Sequence, residues 1–266
     1  MTDGASKQCG ERDGNVRALT RGLAVLQAIN RGGALTMMQI SRAAAIPYPT
    51  ANRIVATLIE SGMIEREPAR KRYRPTALVQ SLSSGWHDDD ALIGVCRPAI
   101  VELTRRLLWP ISLSTRVGSL MMVRDSTHQL TSLTLHNYAP GYTLPMVECA
   151  SGKAYLAWAD ADELEMVMSG LGTQDGPAER MARILLRDGT MLAQIRRQGY
   201  ATQARNVYTA TPGKTSSIAV PLFRAGRVAG ALSLIFFASA MSMREAESRY
   251  AGPLCEKAAA VSTSLD

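Results

Sequence analysis

The sequence has 266 residues, 46% hydrophobic and 20% charged, with a formal net charge of +7. That is the composition of a water-soluble globular protein long enough for two domains, and with no apolar leader core and no uncharged run of membrane-spanning length it reads as cytoplasmic, with no membrane partner. Cys9, Cys96, Cys149 and Cys255 stand far apart without a CxxC pair, and His87, His128 and His136 lack zinc-ligand spacing, which argues against a disulfide framework and a structural metal site.

Residues 1–15 read as a disordered arm. A helix over 16–30 follows, with Leu19, Leu23, Leu26 and Ile29 on one stripe and Gly32-Gly33 as its stop. Arg17 and Arg21 lie at its start, the unfavourable end for a cation in the helix dipole; they face either an external anion such as phosphate or solvent. A short amphipathic helix over 36–44 breaks at Ala45-Ile46-Pro47-Tyr48. A second helix then opens at Pro49-Thr50, where a proline suits a first turn that needs no amide partner. Ala51, Ile54, Val55, Leu58 and Ile59 fall three and four apart, so one side packs and leaves Thr50, Asn52, Arg53 and Thr57 elsewhere. Beyond Ser61-Gly62, two short extended arms at 63–66 and 72–75 flank a basic turn. A helix-turn-helix closed by a basic hairpin is the winged-helix pattern, whose second helix enters the major groove.

Charge supports a nucleic-acid partner independently of pattern. Residues 1–85 carry 12 Lys and Arg against 6 Asp and Glu, whereas the remainder is nearly balanced at 18 against 17. Tyr48, Thr50, Asn52 and Arg53 are the candidates for groove contacts, since Asn and Arg have the planar donor sets that read base edges. Arg53 serves equally as a phosphate ligand. Thr36, Gln39, Arg70, Lys71 and Arg72 are phosphate candidates, and for the wing charges a solvated turn stands as the alternative.

Residues 77–86 suggest a linker helix with Leu78, Val79 and Leu82 apolar, and Asp88-Asp89-Asp90 mark a boundary and cap a helix over 91–108. Strands are expected at 112–117, 120–124 and 130–136, then helices at 154–159, 160–169 and 178–199. Strands at 200–206, 216–223 and 228–237 follow, the first two separated by a long loop at 207–215, and a last helix runs over 243–262. Helices before and after strands imply an α+β domain with an antiparallel sheet. Cys149 and Lys153 have no base placed near them in sequence, and Gly213-Lys214-Thr215 lacks the P-loop glycine, Tyr208 standing in its place; no catalytic residue is expected.

Several stretches, in this order and spacing, resemble the IclR family of bacterial transcriptional regulators. Arg17-Ala18-Leu19-Thr20-Arg21-Gly22-Leu23 is similar to its helix-one opening, and Pro49-Thr50-Ala51-Asn52-Arg53-Ile54 to its recognition helix. Leu144-Pro145, Ser151-Gly152-Lys153-Ala154-Tyr155-Leu156-Ala157, Gly199-Tyr200 and Ser217-Ile218-Ala219-Val220-Pro221-Leu222 resemble its effector domain. Trp109-Pro110, Ser114-Thr115, Val123-Arg124, Thr127-His128 and Ala238-Ser239-Ala240-Met241 look like the branch that regulates catabolism of aromatic acids.

The resemblance implies an N-terminal winged helix-turn-helix over 16–76, a linker helix over 77–87 that contributes to dimerisation, and a C-terminal GAF-like effector-binding and oligomerisation domain over 88–266. It implies an operator in double-stranded DNA, a small organic acid effector, a homodimer or dimer of dimers, RNA polymerase as a further partner, and neither cofactor nor metal. It maps the anion-holding loop onto Ala150 and Ser151, where backbone amides ahead of a helix can meet a carboxylate, and the polar positions of small-acid binders onto Gln203, Ser217, Ser233 and Ile235. Leu133, His136 and Leu144 would line the same pocket, His136 either as a partner for a carboxylate or phenol or as an ordinary core histidine. Two departures stand out: Gln203 replaces an acidic residue and Ile235 a serine, so a larger, less polar acid is expected. Four extra residues in the loop at 207–215 leave the placement of Gln203 open. Two other readings remain, a GAF-like enzyme acting on a small acid and a constitutive DNA-binding protein with an oligomerisation domain.

Overall fold

The computed structural model describes residues 16–83, 90–134, 139–172, 177–209 and 212–266. Contacts divide the chain into two compact units, Met1–His87 and Asp88–Asp266. Among the described residues no helix is long and apolar enough to cross a membrane.

In the first unit α1 (Arg17–Gly32), α2 (Met37–Ala43) and α3 (Tyr48–Glu60) enclose a core of Val25, Ile29, Ile40, Ala51, Val55 and Ile64. Those on α1 and α3 recur at helical spacing, so each of these helices buries one stripe, and Ile64 joins them from the chain after α3. The turn between α2 and α3 needs Ala45 in the left-handed region (φ 51°), and Ser41 Oγ donates to Ile46 O at 2.7 Å to hold it. The expected wing is an antiparallel hairpin of β2 (Ile64–Arg66) and β3 (Arg72–Pro75), with Glu65 opposite Arg74. A third strand, β1 (Leu35–Thr36), pairs with β3; two residues are too short to leave a period in the sequence.

Packing differs from the helical stripes in two places. Ile59 is 40% exposed, and Leu19 and Leu23, expected on the packed stripe of α1, are exposed while Val25, Leu26 and Ile29 are buried. The linker is a 3-10 helix over Ala77–Ser83, with Val79 against the core; its continuation and the expected caps Asp88 and Asp89 lie outside the described residues.

The second unit is a six-stranded antiparallel sheet between two helical layers. After α4 (Asp90–Leu107) come β4 (Ile111–Val117), β5 (Leu120–Ser126) and β6 (Thr143–Pro145), then α5 (Ala150–Leu156), α6 (Ala161–Gly172), α7 (Pro177–Asp188) and α8 (Thr190–Gln198). β7 (Ala201–Gln203), β8 (Thr215–Arg224) and β9 (Arg227–Phe237) complete the sheet in the order β6-β5-β4-β9-β8-β7. α9 (Met243–Ala246) and α10 (Gly252–Thr263) close the chain, joined by a π turn over Glu247–Ala251.

Side chains alternate across a strand, and here the alternation separates two chemistries. Leu113, Ile218, Leu232, Leu234 and Phe236 face α4 and α10 and pack with Ile100, Leu103 and Leu254. The opposite face of the same strands carries Ser112, Ser114, Ser217, Ala219, Ala231 and Ser233, all small, beneath α5. Small residues under a helix leave space.

Three expectations need correction. The strand expected at 130–136 is absent over its described part: a 3-10 turn at His128–Leu130 precedes irregular chain, and Thr131 Oγ1 donates to Leu108 O at 2.6 Å, away from the sheet. β6 takes the edge beside β5 instead. The single helical stretch expected at 178–199 is two helices, because Gly189 adopts φ 69° between them. α5 starts at Ala150, not at 154, because Cys149 caps it: its Sγ accepts from Gly152 N at 3.3 Å.

Candidate nucleic-acid interface and ligand cavity

Helix α3 carries the first candidate site. Its Ala51 and Val55 are fully buried, which turns Asn52 and Arg53 to solvent, with Tyr48 half exposed at the first helical position and Thr50 partly covered. Arg21 of α1 lines a surface groove shared with Thr50, Arg53 and Thr57 of α3, so the arginine near the start of the first helix meets the face of the third. At the wing, Arg74 pairs with Glu65 at 2.6 Å, an exposed bridge that adds about 0.2–1 kcal/mol to the hairpin. Among the described residues no carboxylate pairs with Arg53, Arg70, Lys71 or Arg72, and Arg70 and Lys71 stand exposed at the turn. Unpaired cations on one unit are what a polyanion requires.

Thr36 and Gln39 have another partner: each other. Thr36 Oγ1 accepts from Gln39 N at 3.4 Å and Gln39 Oε1 accepts from Thr36 N at 2.9 Å, a capping box that starts α2. The signal was present in the sequence as Thr-x-x-Gln. Both side chains are therefore committed to the helix start, where a cap holds about 1 kcal/mol.

The second candidate site lies between the small-residue face of the sheet and the first turn of α5. Ser112, Ser114, Val123, Leu144, Cys149, Ala150, Ser151, Asn206, Thr215, Ser217, Ser233 and Ile235 enclose it. The cavity volume is about 20 Å³, room for one water molecule. Its floor is laid by strand register, with Ser112 opposite Ser233 and Ser217 opposite Ile235. Asn206 closes the side: its Oδ1 accepts from Tyr208 N at 2.8 Å, its N–H donates to Thr215 O at 2.8 Å, and its C=O accepts from Gly213 N at 2.9 Å. Tyr142 Oη donates to Tyr208 O at 3.0 Å and ties that loop to the β5 side.

Of the residues expected at a ligand pocket, Leu144, Ala150, Ser151, Ser217, Ser233 and Ile235 meet in this cavity. Ala150 and Ser151 form the first turn of α5 itself, not the chain ahead of it. Leu133 lines an adjoining smaller space. Gln203 is elsewhere, its Oε1 accepting from Lys153 Nζ at 2.7 Å. His136 lies outside the described residues. Ser112, Ser114, Val123, Cys149, Asn206 and Thr215 escaped the sequence reading; the Ser-x-Ser alternation of β4 is visible in the chain, but nothing local says that it faces β9.

Two groups invite a covalent reading, and burial acts on them in opposite senses. Burial pushes the Cys149 thiol up, despite the N–H of Gly152 and a hydrogen bond shared with Ser151 Oγ, so the nucleophilic thiolate is disfavoured. Burial lowers the Lys153 ammonium, which favours the neutral amine, and its Nζ donates to the side-chain oxygen of Gln203 at 2.7 Å.

Comparison with known proteins favours one of the remaining readings. Residues 18–68 match the model of the IclR helix-turn-helix domain, and residues 88–263 that of the bacterial transcriptional regulator IclR C-terminal domain. The chain belongs to the IclR family of bacterial transcriptional regulators. It is 27% identical over 236 residues to the HTH-type transcriptional regulator BhcR of Paracoccus denitrificans, covering 84% of this chain and 78% of that one. It is 24% identical over 164 residues to TsaQ1/TsaQ2 of Comamonas testosteroni, a match that spans 61% of this chain and 59% of that protein. An IclR homologue of Microbacterium hydrocarbonoxydans, solved with 4-hydroxybenzoate, shares the fold at a TM-score of 0.61 and 24% identity over 93% of this chain and 98% of that one. As an IclR-family member the chain is a DNA-binding transcriptional regulator with an effector-binding C-terminal domain.

Proposed function

We propose that this IclR-family regulator binds its operator through α3 and the wing as a homodimer or dimer of dimers, and that an aromatic carboxylic acid in the cavity beneath α5 sets its DNA affinity. Asn52 and Arg53 reach base edges, with Tyr48 and Thr50 beside them, and Arg70, Lys71 and Arg72 position the phosphate backbone. Thr36 and Gln39 act through the start of α2. The enclosed cavity carries the effector assignment. Val123, Leu144 and Ile235 offer an apolar wall for a ring, and five serine hydroxyls offer donors for a carboxylate. The neighbour from Microbacterium hydrocarbonoxydans was solved with an acid of this class. A second copy of the chain suits the exposed Leu19 and Leu23 of α1 and the exposed Leu78 and Leu82 of the linker. One winged domain reads only a few base pairs, so two copies at fixed spacing supply specificity. Effector binding alters DNA affinity by favouring one arrangement of the two recognition helices over another.

Fluorescence anisotropy on operator DNA, with and without a panel of aromatic acids, tests this, the acids being recovered and assayed afterwards. The expected result is a shift of operator affinity with every acid recovered intact. Turnover of an acid would favour the GAF-like enzyme, and absence of any bound acid the constitutive DNA-binding protein.

A further inference from the structure

The cavity beneath α5 adjoins another. Pro110, Leu133, Thr134, Phe236 and Phe237 surround a second gap, too narrow as it stands to admit a water molecule, and Thr215 and Ile235 line both. Each space holds one buried hydroxyl without a hydrogen-bond partner: Ser233 Oγ in the first and Thr134 Oγ1 in the second. Their side chains belong to residues only 5% and 9% exposed. A buried hydroxyl is disfavoured unless something bonds it, and here two such groups flank one side chain. Ile235 lies two residues beyond Ser233 on the same face of β9, 6% exposed, and with Thr215 it borders both spaces.

We infer that the effector is an aromatic acid polar at both ends, one end bonded to Ser233 and the other to Thr134, and that Ile235 sets the length accepted. This rests on the aromatic-acid reading above. Among the described residues that line the two spaces there is no charged side chain. Two carboxylates would have to be desolvated there without a counter-charge, so the second end is neutral, a phenol or an alcohol. A hydroxyl both donates and accepts, and so serves either end. The ring then lies against Ile235 and Leu144, and a longer spacer between ring and acid presses on Ile235.

Titration calorimetry on the full chain with benzoate, 4-hydroxybenzoate and (4-hydroxyphenyl)acetate tests this, using wild type, Thr134→Val, Ser233→Ala and Ile235→Ala. Neither hydroxyl bonds the protein, so both hydroxyl deletions should melt as wild type does. Wild type should bind 4-hydroxybenzoate about tenfold tighter than benzoate, as one added hydrogen bond to a buried group gives. One deletion should weaken both of these acids, and the other should weaken only 4-hydroxybenzoate, to the level of benzoate. Thr134→Ser, which keeps the hydroxyl, should behave as wild type. Ile235→Ala should shift preference toward (4-hydroxyphenyl)acetate by about tenfold. Equal binding of benzoate and 4-hydroxybenzoate by wild type, or ratios unmoved by the deletions and by Ile235→Ala, overturns the two-ended effector alone. If none of the acids binds, the aromatic-acid reading fails and the two-ended effector with it.

Discussion

At Gly152 a hydrogen in place of a methyl group decides whether α5 can lie against the turn before it. A Cβ there would stand 2.1 Å from Met146 O and 2.4 Å from Met146 Cα, backbone atoms that no side-chain rotation can move aside. The same residue donates its N–H to Cys149, so the cap and the close approach depend on one position. Gly152→Ala should therefore cost about 3 kcal/mol, seen as a lower denaturant midpoint at unchanged slope. It should also weaken effector binding, because Ala150 and Ser151 belong to the displaced turn. A variant as stable as wild type would show that α5 can shift without loss.

At the scale of elements, the wing is a scaffold for charge. The register of β2 and β3 and the Glu65–Arg74 pair fix the hairpin, and the turn presents Arg70 and Lys71 outward, with Arg72 at the start of β3. Reversing all three to Glu should lower affinity for operator and random DNA alike. It should also flatten the dependence of log affinity on log salt by about 2 to 3 units, each phosphate contact contributing close to 0.9. If only the operator were affected, these residues would be reading bases and not positioning the backbone.

The same scale shows what a linear reading can reach. α3 and the wing were legible because a proline, a glycine and a run of three-and-four spacings announce them locally. The start of α5 was not, since a cysteine is a rare cap and Ala-Ser-Gly-Lys has no apolar period. The strand expected at 130–136 failed for a tertiary reason: Thr131 bonds Leu108 O, outside the sheet, and a three-residue segment from further along the chain takes that edge. The cavity was half visible. Ser217, Ser233 and Ile235 came from resemblance, whereas Ser112 and Ser114 gain meaning only once β4 is known to lie beside β9. Gln203 stands outside the lining of this cavity, its amide bonded to Lys153, a partner fifty residues away that no local pattern announces.

Over the whole molecule, chemistry is divided as the chain is. The unit Met1–His87 holds nearly all the excess positive charge, and the unit Asp88–Asp266 holds an uncharged cavity walled by serines, by Val123, Leu144 and Ile235, and by a tied loop. Coupling between them has to be carried by a change that the ligand makes in the second unit. With room for a single water, the cavity cannot receive an aromatic ring without moving its walls. That geometry has a kinetic meaning. Entry must wait for the wall to part, so the observed rate of association should rise with ligand concentration only to a ceiling, the opening rate, shared by every acid that fits. Stopped-flow measurements with two acids of different affinity would show two dissociation rates and one ceiling. Rates that climb linearly toward encounter values of 10⁵–10⁷ M⁻¹s⁻¹ or so would mean an open site. A shared ceiling would make the opening step, and not encounter with the ligand, the limit on how fast the cavity fills.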